Sequence, residues 1–197
     1  MEVVILAAGQ GTRMRSRLPK VLHEVGGRPM LAHVLSAARA LAPTAIRVVV
    51  GHGADQVRTA VEAPDVTFIE QPEQRGTGHA VQCAGRDFSA TDWVLVLNGD
   101  VPLLRGETLQ EWAEALAAEQ RSVGILTAHP ADPAGYGRIR RNDQGEVVGI
   151  REEKDATPEE RAIGEVFTGT MAVRGDRLGP WLDRLTDDNA QGELYLT

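Results

Sequence analysis

Residues 3–11 read VVILAAGQG, and they carry the strongest signal for the fold in the chain. Its first part, Val3–Ala8, is an uninterrupted apolar run of strand length, which predicts a β-strand buried on both faces. The run stops at Gly9-Gln10-Gly11, and two glycines so close together predict a loop at the carboxyl end of that strand. Such strands belong to parallel sheets covered by helices, so the opening of the chain already favours an α/β fold.

The chain downstream alternates between helical and strand patterns. The patterns predict a helix at Pro29–Leu41, a strand at Arg47–Val50, a helix at Ala54–Glu62, a strand at Val66–Glu70, a helix at Gly76–Phe88, a strand at Trp93–Leu97, a helix at Thr108–Glu119 and a strand at Ser122–Thr127. Alternation of this kind predicts a mostly parallel central sheet flanked by helices.

The rhythm changes after about residue 135, where β-hairpin signals begin. Gly137–Arg141 and Val147–Arg151 predict a hairpin around the turn-rich segment 142–145. A short helix at Thr157–Ala162, a strand at Thr168–Val173 and a helix at Asp176–Leu185 follow. The chain therefore predicts one α/β domain over residues 1–197 with a later antiparallel insert.

The composition is that of an ordinary globular protein, with 28 acidic side chains against 21 Lys and Arg and a formal net charge of −7. The single cysteine, Cys83, excludes an intramolecular disulfide. The acidic balance argues against nucleic-acid binding. No apolar run approaches the ~18 residues of a membrane span, and the first residues lack the basic segment of a signal peptide. We therefore expect a cytoplasmic protein that binds neither nucleic acid nor membranes.

One segment inverts this charge: positions 3–23 hold no acid and contain Arg13, Arg15, Arg17 and Lys20. The cluster is either a solvated basic loop or an anion site, and the glycines beside it favour an anion site, because they let backbone N–H groups approach phosphate oxygens. The dinucleotide-binding fingerprint needs a third glycine where Met14 stands, and the P-loop motif is absent. The stretch predicts a phosphate-binding loop of another kind, suited to a triphosphate.

Five segments carry a resemblance to a known family: LAAGQGTRMRSRLPKVL at 6–22, EQPEQRGTGHA at 70–80, NGDVPLL at 98–104, GYGRI at 135–139 and NAQGELYLT at 189–197. The first is similar to the signature loop of the sugar-1-phosphate nucleotidyltransferases. The set of five resembles the N-terminal domain of the bacterial bifunctional N-acetylglucosamine-1-phosphate uridyltransferase/glucosamine-1-phosphate acetyltransferases. This resemblance runs the length of the chain and implies a Rossmann-like nucleotidyltransferase fold with a sugar-binding insert.

The resemblance implies transfer of a uridylyl group from UTP to N-acetylglucosamine 1-phosphate, with Mg²⁺ as cofactor. The sugar phosphate would attack the α-phosphorus in line and release pyrophosphate. Its oxygen is already anionic, so positioning and charge neutralisation can suffice without a general base. Two alternatives stay open: a nucleotidyltransferase of different sugar or base choice, and a domain that binds UTP without turnover.

The resemblance also implies roles for single residues in the nucleotide site. The nucleoside would lie against the backbone of Leu6, Ala7, Ala8 and Gly9, and uracil against Gln71, Gly76 and Thr77. Arg13 and Lys20 would be catalytic, since they would neutralise the triphosphate. Asp100 would hold Mg²⁺, an ion that prefers oxygen ligands.

By the same resemblance the sugar would contact Asn98, Gly137, Glu152 and Phe167. Two of these depart from the family pattern. The family carries an asparagine at the position of Phe167, where it contacts the N-acetyl group, and some members carry a tyrosine at the position of Asn98. Because phenylalanine cannot hydrogen-bond an acetamide, the sequence leaves the identity of the sugar open.

The chain ends at Thr197, within a segment that continues in the family. The family's second metal ligand, an asparagine, and its left-handed β-helix domain both lie further along. That domain binds acetyl-CoA and forms the trimer. We therefore expect residues 1–197 to be a nucleotidyltransferase domain truncated at its C-terminal end, without acetyltransferase activity.

Overall fold

The computed structural model describes residues 1–11, 14–61, 63–88, 93–118 and 121–197. Its strands are β1 (Glu2–Ala7), β2 (Glu24–Val25), β3 (Arg28–Pro29), β4 (Ala45–Val50), β5 (Val66–Glu70), β6 (Trp93–Asn98), β7 (Val123–Ala128), β8 (Arg138–Arg141), β9 (Val147–Arg151) and β10 (Val166–Arg174). Its α-helices are α1 (Met30–Arg39), α2 (Ala54–Ala60), α3 (Thr77–Ala84), α4 (Gly106–Ala118), α5 (Pro158–Arg161) and α6 (Gly175–Leu182), and Lys20–Leu22 forms a 3₁₀ turn. None of the helices in these ranges is long and apolar enough to cross a membrane.

Eight strands form one sheet in the order β5-β4-β1-β6-β10-β8-β9, with β7 also pairing with β10. The first four of these are parallel, and β1 lies between β4 and β6. β10 runs antiparallel to β6, β7 and β8, and β8 and β9 form the predicted hairpin. The predicted fold class is therefore confirmed, with the antiparallel part built by the second half of the chain.

The apolar core is divided by the sheet, because successive side chains of β1 point to opposite faces. Val3 and Ile5 pack with residues of α1, α2 and α4, whereas Val4 packs with residues of α3 and α6. All three side chains are fully buried. Burial on both faces explains why β1 is an unbroken apolar run, and it fixes β1 at the centre of the sheet.

Most elements lie where the sequence predicts them, with ends that differ by a few residues. The helix predicted at Gly76–Phe88 begins at Thr77 and ends at Ala84, because Gly85 has a φ of +131° that a helix cannot continue. The sequence reading missed the β2–β3 hairpin and the 3₁₀ turn. These elements are two and three residues long, too short to show a hydrophobic period.

Candidate functional site

A cavity of about 440 Å³ opens at the carboxyl ends of the parallel strands. In open α/β sheets this edge is where ligands bind. The cavity gathers all seven predicted nucleoside contacts, together with three other predicted site residues: Leu6, Ala7, Ala8, Gly9, Gln71, Gly76, Thr77, Lys20, Asn98 and Asp100. These residues come from four separate segments of sequence, which the parallel strand order brings to one edge.

The glycine-rich loop packs directly against Lys20. A Cβ atom on Gly11 would lie 2.7 Å from the Cβ of Lys20, so only glycine leaves room for the lysine stem. The two residues that follow Lys20 in the 3₁₀ turn, Val21 and Leu22, are buried and anchor it to the core. The ammonium group of Lys20 is thereby held at the cavity. Arg13, the other predicted catalytic residue, lies outside the described residues.

Asp100 follows the end of β6, where the N–H of Gly99 donates to the carbonyl of Leu6 (2.9 Å). The Asp100 carboxylate forms an ion pair with the Nζ of Lys20. The side chains are 26% and 34% exposed, respectively, and both line the cavity. A cation and a carboxylate placed in this way can meet the phosphates of a nucleotide and a metal ion bound to them.

Asp100 can hold Mg²⁺ only together with other oxygen donors. Among the described residues no group of three His, Cys, Asp or Glu side chains comes together. Mg²⁺ sites of nucleotide-using enzymes usually take one or two carboxylates, with the remaining ligands from phosphates and water. The donor set therefore fits a metal carried largely by the phosphates of a substrate.

Gln71 and the start of α3 form one corner of the cavity. The Gln71 side chain is 3% exposed, and its Nε2 donates to the carbonyl of Gly76 (3.2 Å) and lies 3.1 Å from Nδ1 of His79. Gly76 has a φ of +105°, and a Cβ on it would lie 2.5 Å from the carbonyl oxygen of Leu194. Gly76 both precedes α3 and lines the cavity.

The segment 193–197 closes this corner from outside. The carbonyl of Leu194 accepts from the N–H of Gly78 (2.7 Å), and the N–H of Leu194 donates to Arg75 (2.7 Å). Glu193 lines the cavity, together with Gln74. The sequence analysis assigned no role to either residue. Gln74 lies in the segment 70–80 and Glu193 in the segment 189–197, and the resemblance of these two segments to the family was the signal that could have found them.

Three of the four predicted sugar contacts lie together in the antiparallel part. The N–H of Phe167 donates to the carbonyl of Gly137 (2.8 Å), and a Cβ on Gly137 would lie 3.4 Å from Oε1 of Glu152. The Phe167 side chain packs against the apolar cluster on the face that carries α3 and α6. Glu152 lines a second cavity of about 290 Å³, while the fourth predicted contact, Asn98, lines the first.

Glu152 and its neighbour Glu153 have different surroundings. Glu153 accepts from the N–H of Gly135 (3.2 Å) and lies 2.8 Å from the guanidinium of Arg138, which is 2% exposed. The N–H of Gly135 and then the Arg138 guanidinium hold the pKa of Glu153 below its usual value. Glu152 instead accepts from the hydroxyl of Thr197 (2.8 Å). Of the two, Glu152 is the carboxylate available to a ligand.

Comparison with known proteins gives a family and a fold. The sequence pattern of the MobA-like NTP transferase domain matches residues 3–186. The chain is 57% identical over 197 residues to the bifunctional protein GlmU of Pseudomonas aeruginosa strain LESB58, and equally to that of Paraburkholderia phytofirmans strain PsJN. Each match covers 100% of this chain and 43% of the relative, so the chain spans less than half the length of these relatives.

A solved structure of UDP-glucose pyrophosphorylase complexed with UDP-glucose superposes on the chain with a TM-score of 0.80. The sequence identity is 16%, and the match covers 100% of this chain and 83% of that one. At this identity the likeness shows the fold alone.

Proposed function

The chain belongs to the family of proteins that carry the MobA-like NTP transferase domain, and we propose that it transfers a uridylyl group from UTP to N-acetylglucosamine 1-phosphate. One observation carries the proposal. The cavity at the edge of the parallel strands gathers the glycine-rich loop, Lys20, Asp100 and the corner around Gln71. The 57% identity to GlmU proteins and the five resembling segments support the choice of UTP and of this sugar phosphate. The extent of the domain, residues 1–197, and a cytoplasmic location stay predictions.

The proposed reaction needs little covalent help from the protein. An anionic oxygen of the sugar phosphate forms a bond to the α-phosphorus of UTP, the bond from this phosphorus to the bridging oxygen breaks, and pyrophosphate leaves with the electron pair. The loop after β1 positions the nucleotide, and Lys20 neutralises charge that spreads over the phosphate oxygens in the transition state. No residue has to abstract a proton.

Mg²⁺ is the metal that we propose for this site, and Asp100 is the residue that would hold it. The bound ion would supply charge neutralisation on the phosphates. The Lys20–Asp100 ion pair keeps the carboxylate at the cavity, where it is partly exposed to a ligand. Release of Asp100 from Lys20 would free the cation for the triphosphate and the carboxylate for the metal.

A second candidate differs in the sugar. The Phe167 side chain offers no hydrogen bond to an N-acetyl group, and its backbone N–H already donates to Gly137. This observation favours a nucleotidyltransferase that uses a sugar 1-phosphate without the acetamide. The glucose and N-acetylglucosamine 1-phosphates differ by this group alone, so they separate the two candidates.

The test is release of pyrophosphate by the unaltered chain with Mg²⁺, UTP and each of several sugar 1-phosphates. Release with N-acetylglucosamine 1-phosphate at least tenfold faster than with glucose 1-phosphate would support the proposal. A preference for another sugar phosphate would support the second candidate. UTP binding without release under any combination would contradict both and leave a nucleotide-binding domain.

A further inference from the structure

The orientation of the Gln71 amide is fixed by its partners. A carboxamide has two N–H donors on its nitrogen and only acceptor capacity on its oxygen. The carbonyl of Gly76, 3.2 Å from Nε2, can only accept, so the nitrogen end of the amide must face it. Turning the amide over would bring two acceptor oxygens together in a position that is 3% exposed.

His79 accepts a hydrogen bond from the second N–H of the Gln71 amide nitrogen. Its Nδ1 lies 3.1 Å from Nε2 of Gln71, and because that nitrogen is a donor, Nδ1 must accept. The ring proton then belongs on Nε2 of His79, which lies 3.7 Å from the Sγ of Cys83, one helical turn further along α3. Both donors of the Gln71 amide are thereby used inside the protein.

The oxygen of the same amide remains for a ligand. Oε1 of Gln71 has no hydrogen-bond partner among the described residues and is not one of the fully buried unpaired atoms, which belong to Glu2, His23 and Asp155. Gln71 lines the cavity, and because both donors of its amide are used inside the protein, Oε1 is the polar atom left to meet a ligand there. At this corner the Gln71 amide presents an acceptor and no donor.

We propose that His79 is a positioning residue that locks the Gln71 amide with its oxygen toward the cavity, so that the site selects a pyrimidine base that carries an N–H donor at N3. This inference rests on the proposed function and adds the source of its base choice. Uracil carries a donor at N3, whereas cytosine carries a lone pair there, so cytosine would set two acceptors against each other. Thymine shares the N3 donor and satisfies the amide equally well.

The test measures binding rather than turnover. Dissociation constants for UTP, dTTP and CTP are obtained by calorimetric titration of the unaltered chain and of His79→Leu, which has no acceptor. We expect the unaltered chain to bind UTP at least tenfold more tightly than CTP. In His79→Leu the carbonyl of Gly76 alone holds the nitrogen end of the amide, so turning the amide over costs one hydrogen bond less and this ratio should fall by about tenfold. The dTTP-to-UTP ratio should stay unchanged.

Two further variants separate positioning from packing. His79→Asn keeps an acceptor at about the place of Nδ1 and should restore the UTP-to-CTP ratio to within about threefold of the unaltered chain. Cys83→Ala alters the same helix but leaves Nδ1 in place, and should leave the ratio unchanged. His79→Ala carries the same expectation as His79→Leu and replaces it if that variant does not fold.

Several outcomes would overturn the inference. These are equal binding of UTP and CTP by the unaltered chain, an unchanged ratio in His79→Leu or His79→Ala, and an equal loss of the ratio in Cys83→Ala. The proposed reaction fails separately: a chain that selects UTP in binding but releases no pyrophosphate would contradict the reaction and leave the role of His79 standing.

Discussion

The Nζ of Lys20 lies against Oδ2 of Asp100, so an ion pair joins the turn after the first loop to the end of β6. The two side chains are 34% and 26% exposed, and solvent screens such a pair. Partly exposed pairs of this kind contribute less than about 1 kcal/mol to stability. The placement of the two charges in the cavity is therefore better explained by what they bind than by the folding energy that they supply.

Replacing Lys20 by Met should reduce pyrophosphate release by about 100-fold, because a preorganised charge on the phosphates is lost. The free energy of unfolding should change by less than about 1 kcal/mol. Lys154, the other lysine of the chain, is the matched control: its Nζ pairs with Gln191 at an exposed position. Steady-state rates and urea unfolding of both variants check this. If the Lys20 variant instead lost both rate and free energy of unfolding, the role of Lys20 would be to stabilise the fold rather than to bind phosphates.

Asp100→Asn keeps the shape of the side chain and removes its charge, so it should weaken the metal dependence of the reaction. We expect release to fall by about 100-fold at a fixed Mg²⁺ concentration, with a higher Mg²⁺ concentration needed for half-maximal rate. Mg²⁺ titrations at saturating UTP measure this. The control is Asp143→Asn, in the exposed turn between β8 and β9. An unchanged Mg²⁺ dependence in Asp100→Asn would exclude this carboxylate as the ligand.

The central part of the fold was predictable because its cause is local. An apolar run of strand length at Val3–Ala8, ended by glycines, predicts a strand buried on both faces, and alternation with helices makes its neighbours parallel. Gln71, Gly76 and Asp100 meet at one edge of the sheet because each follows the carboxyl end of a parallel strand, and these ends lie side by side.

Other features depend on contacts between distant segments, which one sequence does not show. Arg138 is one base in a charged hairpin of the sequence, yet it is 2% exposed, and its guanidinium group donates to the carbonyls of Tyr136 and Arg161. The pairing of Leu194 with Gly78 joins residues more than a hundred positions apart. The contact between His79 and Gln71 needs the exact placement of α3 after the loop. The sequence pattern places both residues near the site without showing which atoms meet.

Arg138→Met should destabilise the chain without touching either cavity. The guanidinium of Arg138 donates to the carbonyls of Tyr136 and Arg161 and pairs with Glu153, and all these partners would lose a donor. Loss of a buried cation from such a network is expected to cost about 2 kcal/mol, or a fall in Tm of about 4–8 °C in a chain of this length. Scanning calorimetry measures the change. Arg140→Met, in which the lost side chain is 43% exposed, should shift Tm by less than about 2 °C.

Glu165 should make stability depend on pH in the acid range. Arg141 donates to its two oxygens (2.8 Å each), and chiefly for this reason the pKa of Glu165 is lowered to about 2. Because the pKa of Glu165 is lower in the folded chain than its ordinary value of 4.5, the ionised carboxylate stabilises the folded chain at pH values above 4.5. This stabilisation is lost as the pH falls from 4.5 towards 2. Urea midpoints at pH 5 and pH 2.5 should therefore differ more in the unaltered chain than in Arg141→Met. Equal differences would mean that the pair contributes nothing in solution.

Phe167→Asn should alter the choice of sugar. Phe167 donates its backbone N–H to Gly137, which in turn lies near Glu152. An asparagine at position 167 could donate to or accept from an N-acetyl group, which the phenylalanine side chain cannot do. One added hydrogen bond should raise the preference for N-acetylglucosamine 1-phosphate over glucose 1-phosphate by about tenfold, mainly through KM.

The Phe167 side chain also packs against the core, so the Phe167→Asn variant should lose stability and is best assayed at low temperature. Phe167→Leu is the matched control, since it keeps an apolar contact and adds no polar group. A preference that rises equally in Phe167→Leu, or stays unchanged in Phe167→Asn, would remove position 167 from the sugar site.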